Sequence, residues 1–253
     1  MRKFLLIAAA AAGLASAGAA QAQEPPQVIK HLDWSFYGIF GTFDRAAAQR
    51  GFQVYKDICS NCHSLNLLAY RNLEEIGLTE AQVKAVAASV QVTDGPNDQG
   101  EMYQRPGKPS DHFKPPFPNE QAARAANNGA LPPDLSLIIK ARAGGPDYVY
   151  SILTGFTEPP AGFKLNPGMN YNLAFPGHQI AMPPPLSDGA VTYADGTKAT
   201  VPQMAHDVVT FLSWAANPEL EMRHRVGVKV IVFLVLLAGL LYAVKRKVWA
   251  EVH

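Results

Sequence analysis

The chain has 253 residues, of which 48% are hydrophobic, and a formal net charge of +1. That length allows one domain with a real core, and so even a charge balance argues against nucleic acid as a partner. Residues 1–22 and 226–253 hold six basic and one acidic residue, so the body between them has 16 Lys+Arg against 20 Asp+Glu, a net of −4. A mildly acidic body of this kind suits a basic soluble partner.

The chain opens on Met1-Arg2-Lys3, an apolar run from Phe4, and Ala20-Gln21-Ala22. A charged start, an apolar stretch and a small-x-small site predict a secretory signal peptide over 1–22, with the mature chain starting at Gln23. Asp44 to Ile58 reads as a helix, with Asp44 as its N-cap. Gly51 and Tyr55 share one face of it at helical spacing. A glycine there lets a second helix cross closely.

That helix leads into Cys59-Ser60-Asn61-Cys62-His63, which contains the only two cysteines of the chain. The C-x-x-C-H spacing predicts covalent haem attachment. Two thiols three positions apart lie on one side of a helical turn and can form thioethers to one porphyrin. The adjacent histidine then supplies the proximal nitrogen to iron. A thioredoxin-like pair has no need of His63 and normally sits in a βαβ setting. Zinc needs two further good ligands. A disulfide across two residues is strained. Export agrees with attachment on the outer side of a membrane.

Thr79 to Val90 predicts a second helix capped by Thr79. From Val92 to Pro133, eight prolines break every long pattern, so this stretch reads as a long connection with one short helix at Glu120–Asn127. Asp134–Ala141 and Asp147–Thr154 read as short helices split by Gly144-Gly145-Pro146. Glu158–Pro185 is irregular again. Ala190–Ala199 reads as a small hairpin around Asp195-Gly196. Pro202–Ala215 predicts a helix with an apolar stripe of Val208, Phe211, Leu212 and Trp214, able to cross the first helix at Gly51 and Tyr55. Asn217-Pro218 forms a joint to the next run. Val226 to Val244 is apolar apart from Lys229. Its 19 residues rise about 28 Å as a helix, close to the thickness of a bilayer's hydrocarbon. It predicts a transmembrane helix, with Trp249 at the interface and a short cytoplasmic tail over 245–253.

A low-spin electron-transfer haem commonly has a second axial ligand, often methionine. Met204 lies on the last amphipathic helix, Met222 abuts the membrane run, and Met102 sits in a charged loop. Met169 and Met182 both lie in irregular chain. Met182 precedes Pro183-Pro184-Pro185, and consecutive prolines stiffen the segment, which favours it. Met169, His178, His206, His112 or an open position remain alternatives from the residues alone. Haem propionates need cationic partners, for which Arg142 and Arg124 are candidates, although a solvated surface arginine has the same local signature.

Arg105-Pro106-Gly107-Lys108, the 125–136 run Ala-Ala-Asn-Asn-Gly-Ala-Leu-Pro-Pro-Asp-Leu-Ser, and Ala141-Arg142-Ala143-Gly144-Gly145 resemble the cytochrome c1 family. So do Leu153-Thr154-Gly155-Phe156, Phe175-Pro176-Gly177, Ala181-Met182-Pro183-Pro184 and the apolar last helix with its basic tail. The resemblance covers nearly the whole mature chain. It implies a mainly α fold, a cytochrome c-like haem domain over 23–225 with long irregular insertions, and one C-terminal transmembrane helix. It implies one covalently bound haem c on Cys59 and Cys62, with His63 and Met182 as iron ligands. Arg142 then faces a propionate, Tyr148 lies near the haem, and Asn127 and Pro133 line the pocket. The implied function is electron transfer from a Rieske iron–sulfur protein to a cytochrome c, beside a cytochrome b subunit, within a ubiquinol–cytochrome c reductase. The chain itself then carries no catalytic group. The implied place is a bacterial inner membrane, with the haem domain in the periplasm. A cytochrome subunit of another membrane dehydrogenase or oxidase, and a monohaem peroxidase, are the rival readings. Some bacterial members carry an extra cysteine pair. This chain has none, so other packing must hold the region from Glu158 to Pro176.

Overall fold

The computed structural model describes residues 26–251. The signal peptide expected at 1–22 lies outside the described residues. The first helix, α1 (Arg45–Asp57), starts where the sequence places it: the Asp44 carboxylate accepts from the Ala47 N–H at 3.0 Å. That bond satisfies one of the amides that a helix start leaves free. A short 3₁₀ turn over Cys59–Asn61 follows, then a second over Tyr70–Ile76. Thr79 and Gln82 form a capping box on α2 (Glu80–Ala88), each side chain bonding the other's backbone N–H.

A two-stranded hairpin then interrupts the stretch that its prolines mark as irregular. β1 (Gln91–Asp94) pairs antiparallel with β2 (Tyr103–Pro106). Pro106 occupies the last pair of the ladder and Pro96 lies in the connecting loop, so neither removes an inner ladder bond. Arg105 holds the hairpin down. It pairs with Asp94, and its Nη1 and Nη2 reach the Asp111 carboxylate at 2.6 and 3.0 Å. The side chain of Asp94 is thus engaged within the domain.

α3 (Glu120–Ala126) is capped by Asn119, and α4 runs Gly145–Thr154 with Pro146 in its first turn. The helix expected over Asp134–Ala141 does not form; the segment is a series of turns. The amides at its start go elsewhere: Leu135 N–H bonds the Ser64 carbonyl at 2.9 Å and Ser136 N–H bonds the Asp134 carboxylate at 2.9 Å. The hairpin expected over Ala190–Ala199 is also absent. Its Asp195 carboxylate accepts from Thr197 N–H at 2.9 Å and from Arg50 at 2.9 Å, which makes a side-chain-closed turn rather than a strand ladder.

A two-residue ladder, β3 (Asn170–Tyr171) with β4 (Gln179–Ile180), orders the second irregular region. Phe163 meets Tyr171 edge-on at 4.8 Å, and Tyr171 stacks on buried His178 at 5.4 Å. Asn166 N–H bonds the Gln179 side chain at 2.7 Å. These contacts pack the region that has no cysteine pair.

The core forms where α1 crosses α5 (Val201–Ala216). A Cβ on Gly51 would sit 2.0 Å from the Asp207 carbonyl oxygen and 2.8 Å from the Phe211 Cβ, so only glycine permits this approach. Tyr55 and Phe52 pack on Phe211 at 5.8 and 5.7 Å between ring centres. The sequence suggests one apolar stripe on α5, but every residue from Asp207 to Ala216 is buried, as are Met204 and Ala205. Asp207 is buried with its charge paired: Arg50 Nε and Nη2 bind its two oxygens at 2.9 and 3.0 Å, and Gln203 adds a third bond at 3.0 Å.

Asn217 caps α5, and α6 (Leu220–Val248) starts three residues later. Its 29 residues extend about 43 Å. It is long and apolar enough to cross a membrane, and none of its residues is buried in the chain.

Gly51→Ala should therefore lose more than an ordinary glycine replacement, because its neighbour is backbone and cannot rotate away. A loss of about 2 kcal/mol or more is expected, seen as a melting temperature lower by about 5 °C or more in detergent. Asp207→Asn tests the buried pair. Burial raises the Asp207 carboxyl, but nearby His206 and the bonds from Arg50 and Gln203 outweigh this and hold it below its ordinary value. Its contribution to stability is thus complete above about pH 4 and fades as pH falls through the lower folded value. The variant should be less stable by about 3 kcal/mol at pH 7. The gap to wild type, read by thermal unfolding, should narrow at pH 3. An equal gap at both values would mean that charge does not set the effect.

Candidate functional site

The C-x-x-C-H segment closes on itself as one turn. The Cys59 carbonyl accepts from Cys62 N–H at 3.1 Å and from His63 N–H at 2.9 Å. α1 delivers this turn, and its Ile58 N–H still bonds the Val54 carbonyl at 3.0 Å. The Tyr55 hydroxyl, from the buried face of the same helix, donates to the His63 carbonyl at 3.3 Å. Both thiols are free, Cys59 half-buried and Cys62 exposed. Burial pushes the Cys59 thiol up to about 12. A thiol so protonated is a poor redox nucleophile, which weighs against thioredoxin-like chemistry.

His63 is fixed from behind. Its Nδ1 lies 2.8 Å from the Pro133 carbonyl oxygen, so Nδ1 carries the proton and Nε2 keeps a free lone pair. Burial pushes the imidazole below its ordinary value, although the Pro133 bond and Asp134 act the other way. Burial thus favours the neutral ring that a metal ligand requires. The Pro133 carbonyl is itself held by a stitched segment. Ser64 Oγ and Asn66 N–H both donate to the Asp134 carboxylate, at 2.8 and 2.9 Å. Leu67 N–H donates to Ser136 Oγ at 3.1 Å. Burial raises the Asp134 carboxyl, and donors from Ser136, Asn66 and Ser64 bring it net below its ordinary value. Sequence reasoning missed Asp134, Ser64 and Ser136. Their signal was the Pro-Asp-x-Ser run at 133–136, an aspartate placed to bond its own backbone two residues on.

The other expected residues sit on separate elements. Met182 follows β4 and is half-buried, and its carbonyl accepts from Asn170 Nδ2 at 3.3 Å. Sequence reasoning missed Asn170 as well. Met169 is exposed, Met102 and Met222 are exposed, and Met204 is fully buried in the core. His178 is buried, with Nδ1 3.0 Å from the Asn172 carbonyl. His206 stacks on Trp34 at 5.0 Å, and His112 Nδ1 lies 2.8 Å from the Asn66 carbonyl.

Arg142 is exposed just before α4, and its Nη1 bonds the neighbouring Ala141 carbonyl at 3.0 Å. Among the described residues no carboxylate lies in ion-pair range of it. Tyr148, one turn into α4, is half-buried; burial raises its hydroxyl and the Arg142 charge lowers it. Asn127 ends α3, its Nδ2 bonding the Ala123 carbonyl at 2.7 Å. Arg124 reaches only the Gly129 carbonyl, at 3.1 Å. The structure thus joins Cys59, Cys62, His63 and Pro133 directly. No hydrogen bond or ion pair among the described residues ties Arg142 or Met182 to His63.

The donor set fits a haem c. It offers two free thiols in one turn and one imidazole with Nε2 open. The model of the cytochrome c1 family matches residues 34–252. The chain is 47% identical over 262 residues to cytochrome c1 of Rhodospirillum rubrum, covering 97% of this chain and 96% of the relative. It is 51% identical over 270 residues to cytochrome b/c1 of Bradyrhizobium diazoefficiens, where it covers 98% of itself but 39% of that longer relative. It is 51% identical to the mitochondrial cytochrome c1 heme protein of Schizosaccharomyces pombe, over 91% of this chain and 75% of the relative. The chain belongs to the cytochrome c1 family, whose members are haem-binding proteins of electron transport.

Proposed function

We propose that this chain is the membrane-anchored monohaem subunit of a ubiquinol–cytochrome c reductase. It takes an electron from a Rieske-type iron–sulfur protein and passes it to a cytochrome c. It sits beside a cytochrome b subunit, with residues 23–225 in the periplasm, 226–244 in the bacterial inner membrane and 245–253 in the cytoplasm. The observation that carries this reading is the His63 ring, held by the Pro133 carbonyl inside a C-x-x-C-H turn, in a chain that ends on an unburied apolar helix. A bound haem c supplies the one-electron iron couple.

The residues of this chain do the rest. Cys59 and Cys62 supply two sulfurs for covalent attachment. His63 would offer Nε2 to the iron, and its Nδ1 bond to Pro133 keeps the tautomer and the ring plane fixed. Met182 would offer a thioether to the same iron. Its backbone is clamped by Asn170 in front and three prolines behind, which limits movement between oxidation states. Arg142 and Tyr148 stand at the start of α4, where a cation and a hydroxyl can meet a propionate. Asn127 lies at the end of the helix that leads to Pro133. Purification in detergent tests the assignment as a whole: cytochrome b and a Rieske-type protein should travel with this chain. Another set of subunits would place it in a different dehydrogenase or oxidase.

Met182→Leu keeps the bulk and removes the sulfur. The reduced protein should then bind carbon monoxide, and the midpoint potential should fall, because a soft neutral thioether favours ferrous iron. Haem should stay attached through Cys59 and Cys62. Met169→Leu is the control and should change none of these. A Met182→Leu protein with wild-type potential and no carbon monoxide binding would place the ligand elsewhere.

Arg142→Ala should lower the midpoint potential as well, since loss of a nearby cation favours the more positive ferric state. Haem-pocket stability should drop by about 1–3 kcal/mol as a propionate loses its partner. Arg142→Lys should recover only part of both, because the planar fork is gone. Wild-type potential in Arg142→Ala would return this side chain to the solvated surface.

A further inference from the structure

The segment Ser35–Thr42 is a closed loop with an apolar tip. Thr42 N–H bonds the Ser35 carbonyl at 3.0 Å and closes its neck. Tyr37 N–H bonds Trp34 at 3.0 Å and Gly41 N–H bonds Gly38 at 3.2 Å, so the tip is shaped by its own backbone. Gly41 has no room for a side chain: a Cβ there would lie 2.3 Å from the Tyr37 carbonyl oxygen. Phe36 turns inward and is buried, packed between Trp34 at 5.5 Å and Phe43 at 5.1 Å. The tip turns outward. Tyr37 is 50% exposed, Ile39 68% and Phe40 78%. A domain of this size does not normally hold three large apolar side chains so far into water on one rigid loop.

Its neighbours show what covers it. Glu221, in the first turn of α6, accepts from Arg45 Nη2 on Oε2 at 3.1 Å and from Phe43 N–H on Oε1 at 2.9 Å. The Gly41 carbonyl oxygen lies 3.2 Å from His224 Nδ1, one turn further along. From Arg45 back to Gly41, the contacts therefore step along α6 toward its apolar run. The tip residues come next in that order. Val226, where the apolar run begins, is two residues past His224, about 3 Å along the axis. Arg223 and Arg225 are exposed at this level, as anionic headgroups favour.

We propose that the Tyr37–Phe40 tip is a second lipid-contacting element, seated at the boundary between headgroups and acyl chains beside the root of α6. The inference rests on reading α6 as the membrane span. Tyr37 suits the headgroup level, being an apolar ring with a polar end. Ile39 and Phe40 suit the upper acyl chains. Two contacts at different points around α6 fix the tilt of the domain over the bilayer, which a single helix with a joint at Asn217-Pro218 cannot do alone.

Three single-cysteine variants of the full haem-loaded chain test this, with Cys59 and Cys62 consumed by the haem. Phe40→Cys, Asp98→Cys and Leu236→Cys are each labelled with a nitroxide and placed in nanodiscs of phosphatidylcholine and phosphatidylglycerol. Accessibility is read by paramagnetic resonance, with oxygen as the apolar probe and a water-soluble nickel chelate as the polar one. The label at 98 reports water and the label at 236 reports the bilayer interior. The label at 40 should be several-fold less open to the chelate than the label at 98, and more open to oxygen. A label at 40 that matches the label at 98 overturns the proposal. A label at 40 that is open to water in nanodiscs, and shielded from both probes only in the assembled complex, also overturns it and assigns the tip to a protein subunit. A label at 236 that is open to the chelate shows that the span reading itself has failed, and the proposal falls with it.

Discussion

The backbone of α1 at Gly51 lies against the Asp207 carbonyl of α5 at a distance that no side chain tolerates. Everything at the site hangs from that crossing. It sets the angle and depth of α1, and α1 ends directly in the Cys59–His63 turn. The aromatic side chains around it, Phe52, Tyr55, Phe211 and Trp214, fill the space that the close approach leaves on either side. The Arg50–Asp207 pair spans the same interface and ties in the 188–200 loop through Asp195. A buried pair of this kind adds little over a well-packed apolar pair, but it penalises any register in which its two ends fail to meet.

A histidine on a turn has many orientations, and only one presents Nε2 to a metal. The structure selects it from outside the motif. The Pro133 carbonyl is seventy residues away in sequence, and it is held on His63 by a seam of bonds between 64–67 and 134–136. The seam uses a carboxylate that both neighbouring segments need, so the two segments order each other. Beyond the seam the chain closes in turns, with Ile138 N–H on the Leu135 carbonyl and Lys140 N–H on the Leu137 carbonyl, so the polar groups of the segment are satisfied without a helix.

The domain meets its anchor through a short joint and one polar latch. Glu221 receives Arg45 and the Phe43 amide, and His224 lies at the Gly41 carbonyl. These contacts and the packing of Leu220 on the core are few, and from Val228 onward α6 is exposed along its described length. Its apolar side chains are therefore left for lipid or for other subunits, which is the state expected of a helix whose solvent is the bilayer.

The sequence by itself determined what depends on local spacing. The C-x-x-C-H turn, the caps at Asp44 and Thr79, the Gly51 face and the long apolar run are all short-range patterns with a direct physical meaning. The family resemblance rested on longer matched runs, and the fold class was what that resemblance implied. Met182 stood out only by its prolines and by resemblance. The tertiary structure alone decided what depends on partners far along the chain. Asp134 looked like the start of a helix because nothing nearby shows that Ser64 and Asn66 both claim its Oδ2. The 190–199 hairpin failed because Arg50 holds Asp195 in a turn. The 91–106 hairpin formed despite its prolines because they fall at the ladder's end and in its loop. α5 reads as amphipathic, yet from Asp207 onward it is buried on all sides, and there Asp207 and Thr210 meet bonding partners inside the core. A hydrogen-bond donor seventy residues from its acceptor leaves no local trace, and that is why the shell around His63 became visible only in three dimensions.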